Sequence, residues 1–145
     1  MNGNDIPDAV KSLLAEPTYA RANPDSVAPI LSDLGVEHSL LRSFLERYEG
    51  PFWSEHIGCE MLDLYEGEET IKSATETCRQ RFGFPSNLLV LSQLTAGQIV
   101  VLDTSDDKVC EVDFEGGEEL LKKKELEPRW DSFRSFLVEY FVGSV

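Results

Sequence analysis

Between Phe84 and Leu137 the chain leaves few ways to fold. An apolar run (Phe84-Pro85-Ser86-Asn87-Leu88-Leu89-Val90-Leu91) leads to a second (Gln98-Ile99-Val100-Val101-Leu102-Asp103), and the turn Thr104-Ser105-Asp106-Asp107 leads to a third (Lys108-Val109-Cys110-Glu111-Val112-Asp113-Phe114). Trp130-Asp131-Ser132-Phe133-Arg134-Ser135-Phe136-Leu137 follows. Consecutive strand runs joined by a short turn and closed by an aromatic helix predict an antiparallel meander with a helix against it. Residues 99–102 show no polar alternation, which places that strand in the middle of the sheet with both faces covered. The third run does alternate. Cys110, Val112 and Phe114 point one way and Val109, Glu111 and Asp113 the other, so one sheet face there is expected to meet water. Trp130, Phe133, Phe136, Leu137, Tyr140 and Phe141 stand at helical spacing and supply enough apolar surface to anchor a sheet face.

Upstream, Val10, Leu13 and Leu14 suit a short helix that Pro17 stops. Asn23-Pro24-Asp25-Ser26 resembles a helix start capped by Asp25 or Ser26, with Val27, Ile30, Leu31 and Leu34 on one face and Gly35 at the end. Leu40, Leu41, Phe44, Leu45 and Tyr48 predict a further amphipathic helix, with Gly50 as left-handed cap and Pro51 as stop. Phe52-Trp53 then opens a loop or bend, and residues 59–65 form a strand. Ile71, Ala74, Thr75, Cys78 and Phe82 form a helical stripe from residue 68 to 82. Glu68 and Glu69 stand in its first turn, Arg79 and Arg81 in its last, and Gly83 caps it. Residues 115–118 are expected to turn, and residues 119–127 to be a charged connector tethered by Leu120, Leu121 and Leu126.

A chain of 145 residues with 41% apolar content, 8 Phe, 4 Tyr and 2 Trp can bury a core without disulfides or metals, and is not disordered. The charge is lopsided: 27 acidic against 13 basic residues, a net of -14. Such a surface repels phosphate backbones, which excludes nucleic acid as a direct partner. It confers solubility, and it also attracts basic proteins. The first eight residues carry neither a basic segment nor an apolar stretch of signal-peptide length, and no run is long enough to span a membrane. Cys59, Cys78 and Cys110, odd in number and widely spaced, suit reduced thiols, so a cytoplasmic location is expected.

Chemistry is hard to find. The histidines are His38 and His56. His56 lies close to Cys59, but Cys59 is expected to begin a strand and pack inward, and His38 to be solvated. There is no CxxC, HExxH, calcium loop or phosphate loop, and Asp103, Asp106 and Asp107 suit hairpin-turn residues, so no metal and no cofactor is expected. Trp53, in a polar stretch after a helix stop, either plugs the end of the core or presents a binding anchor.

Taken in order, these elements resemble the SUKH superfamily, which includes the family named after a fungal cell-wall glucan-synthesis regulator and many bacterial immunity proteins. Residues 34–50 are similar to its first helix and glycine stop, Phe84-Pro85-Ser86-Asn87-Leu88-Leu89-Val90-Leu91 to its Phe-Pro strand, residues 97–103 and 108–114 to its central hairpin, and Trp130-Asp131-Ser132-Phe133-Arg134-Ser135-Phe136-Leu137 to its closing Ser-Phe-x-x-Phe-Leu helix. Where members often have Leu-Pro before the first helix and Asn-Gly-Gly after it, this chain has Leu34-Gly35 and Glu49-Gly50-Pro51. The resemblance implies an α+β fold, with a mostly antiparallel central sheet packed by helices, an N-terminal helical segment and the C-terminal aromatic helix. Residues 1–145 are then one SUKH-like domain, 1–33 an N-terminal helical extension and 34–145 the core.

For bacterial members the resemblance implies an immunity protein that binds and blocks a toxin, often a basic nuclease, without catalysis. The alternative it carries is a regulatory or scaffold protein of the glucan-synthesis regulator type, binding a cellular protein. Neither role needs an enzyme. The candidate contact surface comprises Trp53, Glu55, Glu66, Asp106, Asp107, Glu111 and Asp113, on the acidic side of the sheet and its adjoining loops.

Overall fold

In the computed structural model, which describes residues 5–143, the uninterrupted apolar run becomes the middle strand of a sheet. β3 (Leu88–Val90), β4 (Gln98–Asp103) and β5 (Lys108–Asp113) pair antiparallel in the order β3-β4-β5. Leu102 stands opposite both Leu89 and Val109, and Val101 opposite both Val90 and Cys110. From Ile99 to Asp103 every residue of β4 is buried, as a strand covered on both faces requires.

A second antiparallel pair, β1 (Phe52–Ser54) with β2 (Cys59–Met61), lies beside this sheet. A bridge between Met61 and Ser92, with Leu62 N–H donating to the Leu91 carbonyl at 2.9 Å, joins the pair to the chain continuing from β3. Phe52-Trp53 is therefore strand and not loop. The ladder is three residues long, and a clamp from below holds it. The Tyr140 hydroxyl accepts from Met61 N–H at 2.8 Å and lies 2.8 Å from the Cys59 carbonyl and 3.1 Å from that of Phe52, so its own proton serves the carbonyls of both strands. Ser54 Oγ donates to the Tyr140 carbonyl at 2.5 Å.

The described residues form six α-helices: α1 (Asp8–Leu13), α2 (Val27–Asp33), α3 (Ser39–Arg47), α4 (Ile71–Phe82), α5 (Gly117–Lys122) and α6 (Phe133–Val142). Of these, α4, α5 and α6 pack on the three-stranded sheet, and α1 and α2 pack mainly on other helices. α4 follows the expected stripe, burying Ile71, Ala74, Thr75 and Cys78, and ends on Gly83, whose φ of 69° no side chain would favour. It begins later than expected. Thr70 and Ser73 form a reciprocal capping box, which leaves Glu68 and Glu69 outside the helix, and Glu69 accepts the Leu94 N–H at 2.9 Å. α3 stops before Gly50, which is not left-handed. Its exit is pulled extended by pairing with residues 19–21, through Arg21 N–H to the Arg47 carbonyl at 3.1 Å and Glu49 N–H to that of Tyr19 at 2.8 Å. Ser26 precedes α2 without capping it, since its hydroxyl bonds to Asn23 and Tyr65.

Two further differences concern the C-terminal third. The turn after β5 runs directly into α5, a helix where a connector was expected. Trp130 lies outside α6. Its backbone pairs with Val109, N–H to carbonyl at 3.0 Å in each direction, which covers the start of β5, where both Val109 and Cys110 are buried, so only Lys108, Glu111 and Asp113 of that strand reach outward. Ser132 then caps α6, which buries Phe133, Phe136, Leu137 and Tyr140. An aromatic seam continues from Trp130 through Phe136, Tyr140 and Phe141 to Phe52 and Phe44, tying α6 to β1 and α3. Ile6, Val10, Leu14, Val27 and Leu31 join the same buried cluster as the sheet.

Candidate functional site

Charge is unevenly spread along the chain. Between Arg47 and Lys72 there is no lysine or arginine, yet the segment holds Glu49, Glu55, Glu60, Asp63, Glu66, Glu68 and Glu69. This stretch builds the β1–β2 hairpin and its exit loop. Strand alternation turns Phe52 and Ser54 inward and Trp53 outward. The indole is 66% exposed, which excludes the core-plug role. Its cross-strand neighbour is Glu60, which accepts from Gln93 Nε2 at 3.4 Å, and Glu55 is exposed in the hairpin turn.

At the other end of the hairpin the segment's one fully buried acid finds its cation far back in the sequence. Asp63 and Arg21 both have fully buried side chains and form a two-pronged pair, one Arg21 N–H meeting Asp63 Oδ2 at 3.3 Å and the other meeting Oδ1. Arg21 also donates to the carbonyls of Tyr48, at 3.0 Å, and Leu45, and lies 3.7 Å from Glu49. Asp63 accepts the backbone N–H groups of Gly50 (2.9 Å), Tyr65 (3.2 Å) and Glu66 (3.0 Å). Burial alone would raise the Asp63 carboxyl. The guanidinium and the Gly50 and Glu66 N–H groups outweigh it and hold the carboxyl below its ordinary range. Arg21 moves the other way: burial opposes its charge, and Asp63 restores it and more. This hub pins the exit of α3, the start of β1 and the loop after β2 to one point. Nothing local in the sequence marks Arg21 as Asp63's partner, 42 residues away.

The candidate contact residues fall into separate places. Trp53, Glu55 and Glu66 follow the hairpin from its turn to its exit loop. Asp106 and Asp107 form the β4–β5 turn, where Asp106 accepts Lys108 N–H at 3.1 Å and lies 3.9 Å from Lys124 Nζ. Asp107, left-handed at φ 66°, is bound to His38 Nε2 and accepts Phe133 N–H at 3.3 Å. Glu111 pairs with Arg129 at 2.6 Å, and Asp113 accepts Glu115 N–H at 2.9 Å and Gly117 N–H at 3.2 Å. Glu111 alone of this second group approaches the hairpin, lining with Ile57, Cys59 and Gln98 a small cavity of about 120 Å³.

The groups with possible chemistry are occupied or silenced. His38 is not solvated: Nδ1 accepts Leu41 N–H at 3.2 Å as the cap of α3, which makes Nε2 the donor to Asp107, and its ring packs edge-on against Phe133. Both nitrogens are thereby engaged, although His38 lines a cleft of about 590 Å³ beside Leu31, Val36 and Arg42. Burial pushes the Cys59 thiol up, the Glu111 charge adding to it, and pushes Cys78 up to about 11 and Cys110 in the same direction. All three stay protonated, weak nucleophiles. The His56 ring lies against the end of α6, where a Cβ on Gly143 would fall 2.9 Å from Nδ1, and no hydrogen bond joins His56 to Cys59 among the described residues. No group of three or more His, Cys, Asp or Glu suited to a metal occurs among them. No helix among them is long and apolar enough to cross a membrane.

Two small antiparallel sheets bridged at Met61 and Ser92, with helices packed around them, make up an α+β architecture. The sequence model of the SMI1 / KNR4 family (SUKH-1) matches residues 22–139, and the chain belongs to that family. Domains of this family interact with proteins and are generally non-enzymatic, with immunity or regulatory roles. No curated protein matches the sequence.

Proposed function

We propose that this protein is an immunity protein, which binds a cognate bacterial toxin domain of basic character, a nuclease being the simplest case, and occludes it. The observation that carries the reading is the excess of acid: a net charge of -14, with seven acids and no lysine or arginine between Arg47 and Lys72. Of those seven, only Asp63 and Glu49 meet a cation among the described residues, Arg21. A basic cleft evolved to hold polyanions is the natural complement of such a surface, and charge complementarity raises the association rate and rejects wrong partners. Inhibition by cover needs no reacting group.

The test is co-expression with the toxin domain encoded beside this protein's gene. The expected result is survival of the host together with a co-purified complex whose association slows steeply as salt screens the charges. Death of the host with no complex formed would refute the reading. Recovery of a host cell-wall protein in the toxin's place would move the protein to the regulatory class.

A further inference from the structure

We infer that the outer face of the β1–β2 hairpin is the contact surface for that partner, and that Trp53 is its anchor, seating an arginine or lysine side chain of a basic protein over the indole between Glu55 and Glu60. The inference rests on the proposed binding role and deepens it by naming the surface and the chemistry it takes.

Three observations converge on this face. Trp53 is exposed to 66% on a strand whose neighbours Phe52 and Ser54 are buried, so the indole points outward because the register demands it and has no core to fill. The acids around it are spare. Glu55 and Glu60 have no ion-pair partner among the described residues, whereas Asp107 and Glu111 are committed to His38 and Arg129. The strands beneath are held rigidly by the Tyr140 hydroxyl and the Asp63–Arg21 pair, so the surface is presented with little left to order on binding.

Charge decides the occupant. A second copy of the chain would bring the same carboxylates face to face and is repelled; an acidic partner is repelled likewise. A cation satisfies both halves of the site, because the face of an indole attracts it through the ring quadrupole and the carboxylates attract it directly. Tryptophan and arginine are also the residues most often found at the energetic centre of interfaces.

The test uses the intact protein and an acetylated hexa-arginine peptide in low salt, read by acrylamide quenching. Of the two tryptophans, Trp130 is buried, so the quenchable signal belongs to Trp53. The peptide is expected to cut that quenching at least twofold, and both Trp53→Ala and the double change Glu55→Gln with Glu60→Gln to weaken binding at least fivefold. The control change of Glu125→Gln with Glu127→Gln, on the connector beyond α5, is expected to leave it within twofold. Absence of binding, binding that leaves Trp53 as quenchable as before, or equal weakening by the control pair would overturn the inference. The toxin takes no part in this assay, so it can fail while co-expression succeeds, and the reverse.

Discussion

Replacing Asp63 with alanine removes the acceptor for two Arg21 N–H groups and three backbone N–H groups at once, at a point where both side chains are fully buried. Removing one partner of a buried ion pair costs about 3–5 kcal/mol, because the other charge stays buried and uncompensated. Against a total stability of about 5–15 kcal/mol that is a large share. A chain of this size loses roughly 3 °C in melting temperature per kcal/mol, so Asp63→Ala should melt about 10 °C lower or more. Urea unfolding followed by circular dichroism measures the loss directly. A second variant separates charge from geometry: Arg21→Met added to Asp63→Ala should regain part of the loss, since the orphaned guanidinium is gone. The sign of the pH dependence follows from the same pair. The folded-state pKa of Asp63 is depressed, so its contribution is present above the unfolded value of about 4 and is lost as pH falls through the folded one. Asp63→Asn should therefore flatten the decline of stability below about pH 4. A cost under about 1 kcal/mol for Asp63→Ala, or no recovery in the double variant, would refute the account of the hub.

Other perturbations test the remaining supports. Tyr140→Phe strands the Met61 N–H and should cost about 1–3 kcal/mol, with faster hydrogen exchange at the Met61 amide. Burial, aided by the Cys59 charge, holds the Tyr140 phenol above its ordinary value, so the wild type should lose stability as pH rises past about 10 and the phenylalanine variant should lose less. His38→Ala removes the cap of α3 and the tie to Asp107, for a loss of about 1–2 kcal/mol in urea unfolding; His38→Asn should recover the cap alone. Trp53→Ala should change stability by less than about 0.5 kcal/mol, since the side chain is largely in water.

What could be read from the chain in advance was whatever a short window contains. α4 is legible because its stripe, Arg79 and Arg81 and the Gly83 cap all lie within one stretch, and β4 because an unbroken apolar run of strand length admits only a covered position. Three of the departures have distant causes. Phe52-Trp53 carries too few residues to announce a strand, and is held as one by a hydroxyl 88 residues away. Trp130 fits the helical spacing of α6 but is captured by the open edge of β5 at Val109. His38 looks solvated until the β4–β5 turn brings Asp107 to it across 69 residues. The proposed acidic contact surface was only half legible: composition announced the charge, and the gap in lysine and arginine from 48 to 71 was there to be seen. Which of the acids are spent on local bonds required the fold.

That distinction gives the hairpin its place in the argument. An acid that pairs with arginine or caps a turn has its field largely compensated, so counting carboxylates overstates how much charge a surface can offer a partner. Asp107, Glu111 and Asp113 are of that kind. Glu55 and Glu60 form no ion pair among the described residues; the first stands two residues along the chain from, and the second directly across the ladder from, the one large apolar side chain that β1 turns to solvent. A three-residue ladder is marginal by itself, yet here it is braced from inside by Tyr140 and at its base by Arg21. The interior hydrogen bonds therefore bear on function as well as stability: they hold an indole and free carboxylates in fixed relation, the condition under which a basic side chain binds without first having to organise its own site.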